Sequence, residues 1–84
     1  MNANKAGHRI RVARTMAIPR LTQEDLAVKM QMEGFKITKN SLSRIETNRR
    51  YITDLELIGF AKILNVSTAW LLQESDIPLE RAMD

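Results

Sequence analysis

Residues 38–50, TKNSLSRIETNRR, have the pattern of a helix that buries very little of its surface. Only Leu42 and Ile45 are large and apolar, and their spacing of three places them on one narrow stripe. A helix that packs one face against a core normally carries a wider apolar stripe. The polar remainder of this segment therefore indicates that its outer face serves a purpose other than packing.

The size and composition of the chain predict one compact domain that lies outside the membrane. It has 84 residues, of which 44% are hydrophobic, and no apolar run approaches the roughly 20 residues of a membrane span. The absence of cysteine excludes disulfides and thiolate metal sites, and it favours a cytoplasmic location. We expect a folded domain over residues 1–73 and an acidic tail over residues 74–84.

Charge is distributed unevenly along the chain, although the formal net charge is only +3. Residues 1–20 hold five bases and no acid, and residues 36–50 hold five bases against a single acid, Glu46. From Asp54 onward, six acids stand against two bases. This asymmetry favours a polyanionic partner that docks on one side of the molecule. For residues 1–20 alone, a solvated surface is an equally good interpretation.

The hydrophobic pattern predicts an all-α protein, because apolar residues recur with the helical period and never alternate as in a strand. Five helices are expected, over about residues 5–17, 22–33, 38–47, 53–64 and 67–72. The fourth is expected to bury Leu57, Ile58, Ala61 and Leu64. Side chains able to cap the five helix starts are Asn4, Thr22, Thr38, Thr53 and Ser67. Gly34 and Asn48 are expected in the left-handed conformation after the second and third helices.

The outer face of the third helix carries four hydrogen-bonding side chains, at Lys39, Asn40, Ser43 and Arg44. Two pairs are spaced i, i+4, so the four side chains form one patch. Lysine and arginine suit the acceptors of guanine, asparagine can pair with adenine, and a helix fits the DNA major groove. By itself such a patch is more often a solvated face. A helix, a turn and this helix, followed directly by Arg49 and Arg50, are however the order of a helix-turn-helix.

Three segments resemble the Cro and phage-repressor type of helix-turn-helix domain, also called the XRE family. They are LTQEDLAVKM (21–30), TKNSLSRIETNRR (38–50) and LELIGFAKILNVSTAWLL (55–72), and the resemblance covers roughly residues 7–73. It implies a compact five-helix bundle of the phage-repressor-like type. It also implies a sequence-specific double-stranded DNA-binding transcriptional regulator, more specifically a repressor, with residues 38–47 as the recognition helix in the major groove. A homodimer on an inverted-repeat operator is the expected assembly.

The resemblance also implies roles for individual residues. The positions that read base edges are Lys39, Asn40 and Arg44, with Ser43 as a secondary candidate. The positions that hold DNA phosphates are Gln23, Arg49 and Arg50. Glu46 resembles a structural acid of the family, which is expected to pair with a basic residue such as Arg14 on the first helix.

The segment QMEGFKI (31–37) departs from the family pattern, because it is longer than the usual turn. We expect Phe35 and Ile37 to be buried and to hold this loop, and Gln31 and Lys36 to be exposed. The longer loop would also bring Lys36 close to a DNA phosphate, which adds Lys36 to the phosphate-binding candidates.

Three consecutive apolar residues, Trp70, Leu71 and Leu72, cannot all face inward on one helix. They are therefore expected to form the dimer interface, with Ile77 and Leu79 of the tail adding to it. The alternative is that the tail covers these residues within a monomer.

Other functions have less support in the sequence. His8 has no partner residue at a useful spacing, and there is no His and Cys cluster, so no enzymatic activity, metal site or cofactor is expected. The competing interpretation is a protein-interaction module, or the antitoxin component of a two-protein system, with the same fold. The acidic tail would then bind a basic protein partner.

Overall fold

The computed structural model describes residues 5–76, and this part of the chain forms five helices and no strand. The helices are α1 (Ala6–Met16), α2 (Gln23–Met32), α3 (Lys39–Glu46), α4 (Asp54–Leu64) and α5 (Thr68–Leu71). The all-α prediction is confirmed, and each helix ends within one residue of its expected limits. Within the described range, no helix is long and apolar enough to cross a membrane.

Short-range capping bonds explain why four of the helices begin where they do. The Thr22 hydroxyl accepts a bond from the backbone N–H of Asp25, and the Asp25 carboxylate accepts one from the backbone N–H of Thr22. Thr53 and Glu56 form the same reciprocal arrangement at α4. Thr38 and Ser67 cap α3 and α5 as predicted. The predicted cap of α1, Asn4, lies outside the described residues; Lys5 occupies the N-cap position and makes no side-chain capping bond.

The ends of α2 and α3 are closed by left-handed residues, as predicted. Gly34 has a φ of 95° and Asn48 a φ of 61°. After α2, the backbone N–H of Phe35 donates to the Met30 carbonyl; after α3, that of Arg49 donates to the Arg44 carbonyl. Each bond reaches back five residues and satisfies a carbonyl that the helix itself leaves free.

The core lies where α1 meets α3, α4 and α5, and where α2 meets α3 and α4. Its largest fully buried side chains are Ile10, Leu26, Met30, Ile37, Leu42, Ile45, Phe60 and Leu71. One core prediction is wrong: Ile58 is 57% exposed, whereas Phe60 is fully buried. The buried face of α4 includes the polar residue Glu56. Because a polar residue normally marks an exposed face, the hydrophobic pattern did not identify this face as the buried one.

The loop between α2 and α3 is held as predicted, with one difference in degree. Ile37 is fully buried, whereas Phe35 is only half-buried. A Cβ atom added at Gly59 would lie 2.6 Å from Cε2 of Phe35, so the ring packs directly against the backbone of α4. Gln31 and Lys36 are exposed, and the Gln31 amide donates to the Ile37 carbonyl across the loop at 2.8 Å.

The predicted dimer patch around α5 is wrong for two of its residues, since Trp70 and Leu71 are buried within the domain. Arg9 of α1 lies over the Trp70 ring. Its guanidinium lies 5.0 Å from the centre of the Trp70 ring and donates to the carbonyls of Trp70 and Ser75. The short α5 packs against both α1 and α4. Leu72 is half-buried, and the predicted contributions of Ile77 and Leu79 lie outside the described residues.

Candidate nucleic-acid interface

One face of α3 is buried against the rest of the domain and the opposite face is exposed to solvent, as its sequence predicts. Leu42 and Ile45 are buried in the core. Of the four proposed base-reading residues on the other face, three are exposed and Ser43 is half-buried; the exposed ones are Lys39, Asn40 and Arg44. The structure thus brings the predicted patch together on one helix, in the part that follows the turn from α2.

A buried carboxylate, Glu46, connects three helices. Arg14 of α1 donates from Nε to Glu46 Oε2 at 2.7 Å and from a terminal nitrogen to Oε1 at 3.0 Å. The second terminal nitrogen of Arg14 donates to the Leu21 carbonyl at 3.0 Å. The predicted pairing of Glu46 with Arg14 is therefore confirmed, and the orientation of α3 is fixed relative to α1.

Gln23, proposed as a phosphate ligand, is also bonded to this carboxylate. Its side-chain amide donates to Glu46 Oε1 at 3.0 Å from the first turn of α2. The amide is half-buried, and it keeps a second N–H beside the free backbone N–H groups of that turn. Glu46 therefore orients Gln23, while the phosphate contact itself stays a prediction.

The other phosphate candidates differ in how far their charge is already matched. Lys36 and Arg49 are exposed, and neither has a carboxylate partner within residues 5–76. The guanidinium of Arg50 instead forms two bonds of 3.1 Å to the carboxylate of Glu56. Arg50 is thus the least available of the predicted phosphate ligands.

The Arg50–Glu56 pair also fixes the start of α4 beside the loop that follows α3. Burial by itself raises the pKa of Glu56, but the bonds from Arg50 and Thr53 outweigh it and hold that pKa below its usual value. The folded state therefore favours the ionised carboxylate. Its contribution to stability is fully present above the pKa of the unfolded chain, and it is lost as the pH falls through the lower folded pKa.

Glu56→Gln is expected to lower the free energy of unfolding at neutral pH by about 1–3 kcal/mol, because a neutral amide with one acceptor oxygen replaces the carboxylate that accepts two charged bonds from Arg50. The deficit should shrink in acid, where the wild-type carboxylate is protonated as well. Urea unfolding at neutral pH and at about pH 3 measures both values. Glu24→Gln is the control, since Glu24 lies in the first turn of α2 and its carboxylate has no hydrogen-bond or ion-pair partner among residues 5–76. A deficit that is equal at both pH values would contradict the ionic origin.

Arg20 is a site residue that the sequence interpretation counted only as part of a basic stretch. Together with Lys39 and Gln23 it lines a cleft of about 680 Å³ between the starts of α2 and α3. Its position two residues before the Thr22 cap is the sequence signal that could have pointed to it. Within the described part of the chain, no group of three or more His, Cys, Asp or Glu residues is placed to hold a metal ion, and His8 is exposed.

A small all-helical domain, in which a polar helix follows a turn and is fixed by two neighbouring helices, has the architecture of a helix-turn-helix protein. The comparison with protein families agrees: a family model described as helix-turn-helix (HTH_3) matches residues 20–71. The chain therefore belongs to this family, the Cro/C1-type or XRE family of helix-turn-helix domains. No curated protein matches the chain.

Proposed function

We propose that this chain is a cytoplasmic, non-enzymatic transcriptional regulator that binds double-stranded DNA sequence-specifically and acts as a repressor. α3 lies in the major groove, where Asn40, Ser43 and Arg44 contact base edges. The observation that carries the proposal is the split character of α3. One face is buried through Leu42 and Ile45, and the other presents hydrogen-bonding side chains to solvent.

The distribution of matched and unmatched charge supports the same surface. Several cations outside the turn and α3 are paired, among them Arg9 with Asp76, Arg14 with Glu46 and Lys62 with Glu33. Eight exposed cations lack a carboxylate partner among the described residues. Five lie at and around the turn and α3, at Arg20, Lys36, Lys39, Arg44 and Arg49, and the other three are Lys5, Arg11 and Lys29. Such unmatched charge attracts a phosphate backbone.

Selection of bound sites from random duplex DNA tests the proposal, and the same experiment identifies the operator. Arg44→Ala is expected to relax the base preference at one position, at a cost of about 1–3 kcal/mol. Arg49→Ala should instead weaken binding to all sequences and reduce the salt slope by about one. Lys62→Ala, which removes the same charge from α4, is the control. If Arg44→Ala leaves both affinity and base preference unchanged, α3 is not the reading helix.

The homodimer on an inverted repeat is the second part of the proposal. One short reading helix makes few base contacts, and a two-fold dimer would place two of them roughly 34 Å apart. Leu55 and Ile58, exposed and spaced i, i+3 on α4, and the exposed Tyr51 just before α4 offer an alternative to the buried α5 patch.

Sedimentation of the protein with and without operator DNA is expected to give two copies per duplex, with half-sites centred about 10 base pairs apart. Ile58→Asp should reduce the complex to one copy, while the exposed Val28→Asp on α2 should not. A single wild-type copy on an asymmetric site at saturating protein would rule out the dimer.

A further inference from the structure

The cleft between α2 and α3 is lined by two cations that form no ion pair with the described residues. Arg14 also borders the cleft, but its guanidinium is already bonded to Glu46 and to the Leu21 carbonyl. Arg20 and Lys39 reach the cleft from different elements, the α1–α2 loop and the start of α3. Neither side chain has a hydrogen bond or ion pair within the described chain.

The position of Lys39 is electrostatically unfavourable unless an anion is present. It is the first residue of α3, where the helix dipole is positive, and the first turn of α3 contains no acid. Free backbone N–H groups of Gln23 and Glu24, at the start of α2, add positive partial charge to the same cleft. The Glu24 carboxylate is the acid that opposes them there. Two cations and the start of α2 thus border one cleft that is large enough for an anion.

We infer that this cleft binds one phosphate of the DNA backbone between Arg20 and Lys39, an inference that rests on the function proposed above. Lys39 is then a phosphate-binding residue and not a base reader. Base reading is left to Asn40, Ser43 and Arg44. A base edge carries no net charge, so it would leave the positive charges of Arg20 and Lys39 without a counter-charge. A phosphate is an anion, and its oxygens can accept hydrogen bonds from both side chains.

The test uses the selected operator and a set of duplexes in which single phosphates are replaced, one at a time, by neutral methylphosphonate. Wild-type protein should lose affinity when one particular phosphate per half-site is replaced. The same replacement should cost less affinity in Arg20→Ala and in Lys39→Ala, and least in the double variant. Each variant should bind all sequences on the order of tenfold more weakly, with the base preference unchanged. The double variant should lose about one unit of salt slope and not two, since both side chains hold the same phosphate.

Glu24→Gln should strengthen binding, because it removes the opposing charge, and Lys62→Ala should leave every measurement unchanged. Arg20 and Lys39 are exposed, and thermal melting should show that their variants are as stable as the wild type. A base preference altered by Lys39→Ala, or different phosphates lost by the two variants, would overturn the inference while leaving the proposed function intact. Wild-type protein that binds no duplex would overturn both.

Discussion

Arg14→Met is expected to lower the free energy of unfolding by roughly 3–5 kcal/mol, because it leaves the Glu46 carboxylate buried without its cation. It also removes the bond from Arg14 to the Leu21 carbonyl. In a domain of this size the loss corresponds to a fall in Tm of about 15–30 °C. Urea unfolding at neutral pH, followed by circular dichroism, measures it.

Arg11→Met is the matched control for this prediction, because Arg11 lies on α1, is exposed and has no carboxylate partner among the described residues. It should change stability by no more than about 0.5 kcal/mol. A double variant, Arg14→Met with Glu46→Leu, should regain much of the loss, since an apolar pair can replace a buried ion pair at little net cost. Equal effects of the Arg11 and Arg14 changes would show that the buried pair contributes nothing.

Gly7→Ala should destabilise the protein by an amount near the upper end of the roughly 1–3 kcal/mol typical of overpacking. A glycine-to-alanine change inside a helix usually stabilises, so the expected sign is reversed. A Cβ atom at Gly7 would collide with the backbone carbonyl oxygen of Ile45 and lie 3.2 Å from Oδ1 of Asn48. The end of α3 would have to move away from α1, and the Arg14–Glu46 bonds would lengthen.

His8→Ala provides the comparison, because this exposed neighbour in α1 accepts the same side chain without a new contact. It should be neutral or slightly stabilising in thermal melts. Gly59→Ala is a second comparison. Its added Cβ atom would press against a ring atom of the half-buried Phe35 and not against backbone. That ring can turn, whereas the Ile45 carbonyl is held within α3. A melting temperature that rises in Gly7→Ala would disprove the close approach of α1 and α3.

The features that were predicted correctly from the sequence, such as helix caps and helix ends, depend on residues only a few positions away. The caps at Thr22 and Thr53 bond to backbone groups three residues on, and the left-handed Asn48 closes a single turn. Short-range chemistry of this kind is readable without knowledge of the fold. The residues that anchor α3 in the core were also predictable, because Leu42 and Ile45 are the only large apolar residues of this helix.

The features that sequence missed depend on contacts between distant segments. Trp70 was expected to be exposed for dimer contacts, because the residue that packs over its ring, Arg9, lies 61 residues earlier in the chain. Ile58 looked buried because the hydrophobic pattern cannot show that a polar residue, Glu56, shares the inner face of α4 with Phe60. In the candidate site, the pairing of Arg50 with Glu56 likewise depends on the path of the loop after α3, which no periodicity reports.

Under the function proposed above, the triple bonding of Glu46 bears on how α3 would discriminate among DNA sequences. Rotation of α3 about its own axis would break the bonds to Arg14 and Gln23 together, so the backbone enters the groove in a fixed orientation. Docking would then immobilise surface side chains of α3, at about 0.5–1.5 kcal/mol each, on a helix whose orientation is already fixed. The same rigidity prevents the helix from adjusting to a mismatched base pair, whose polar groups remain unpaired in the interface and lower the affinity for that sequence.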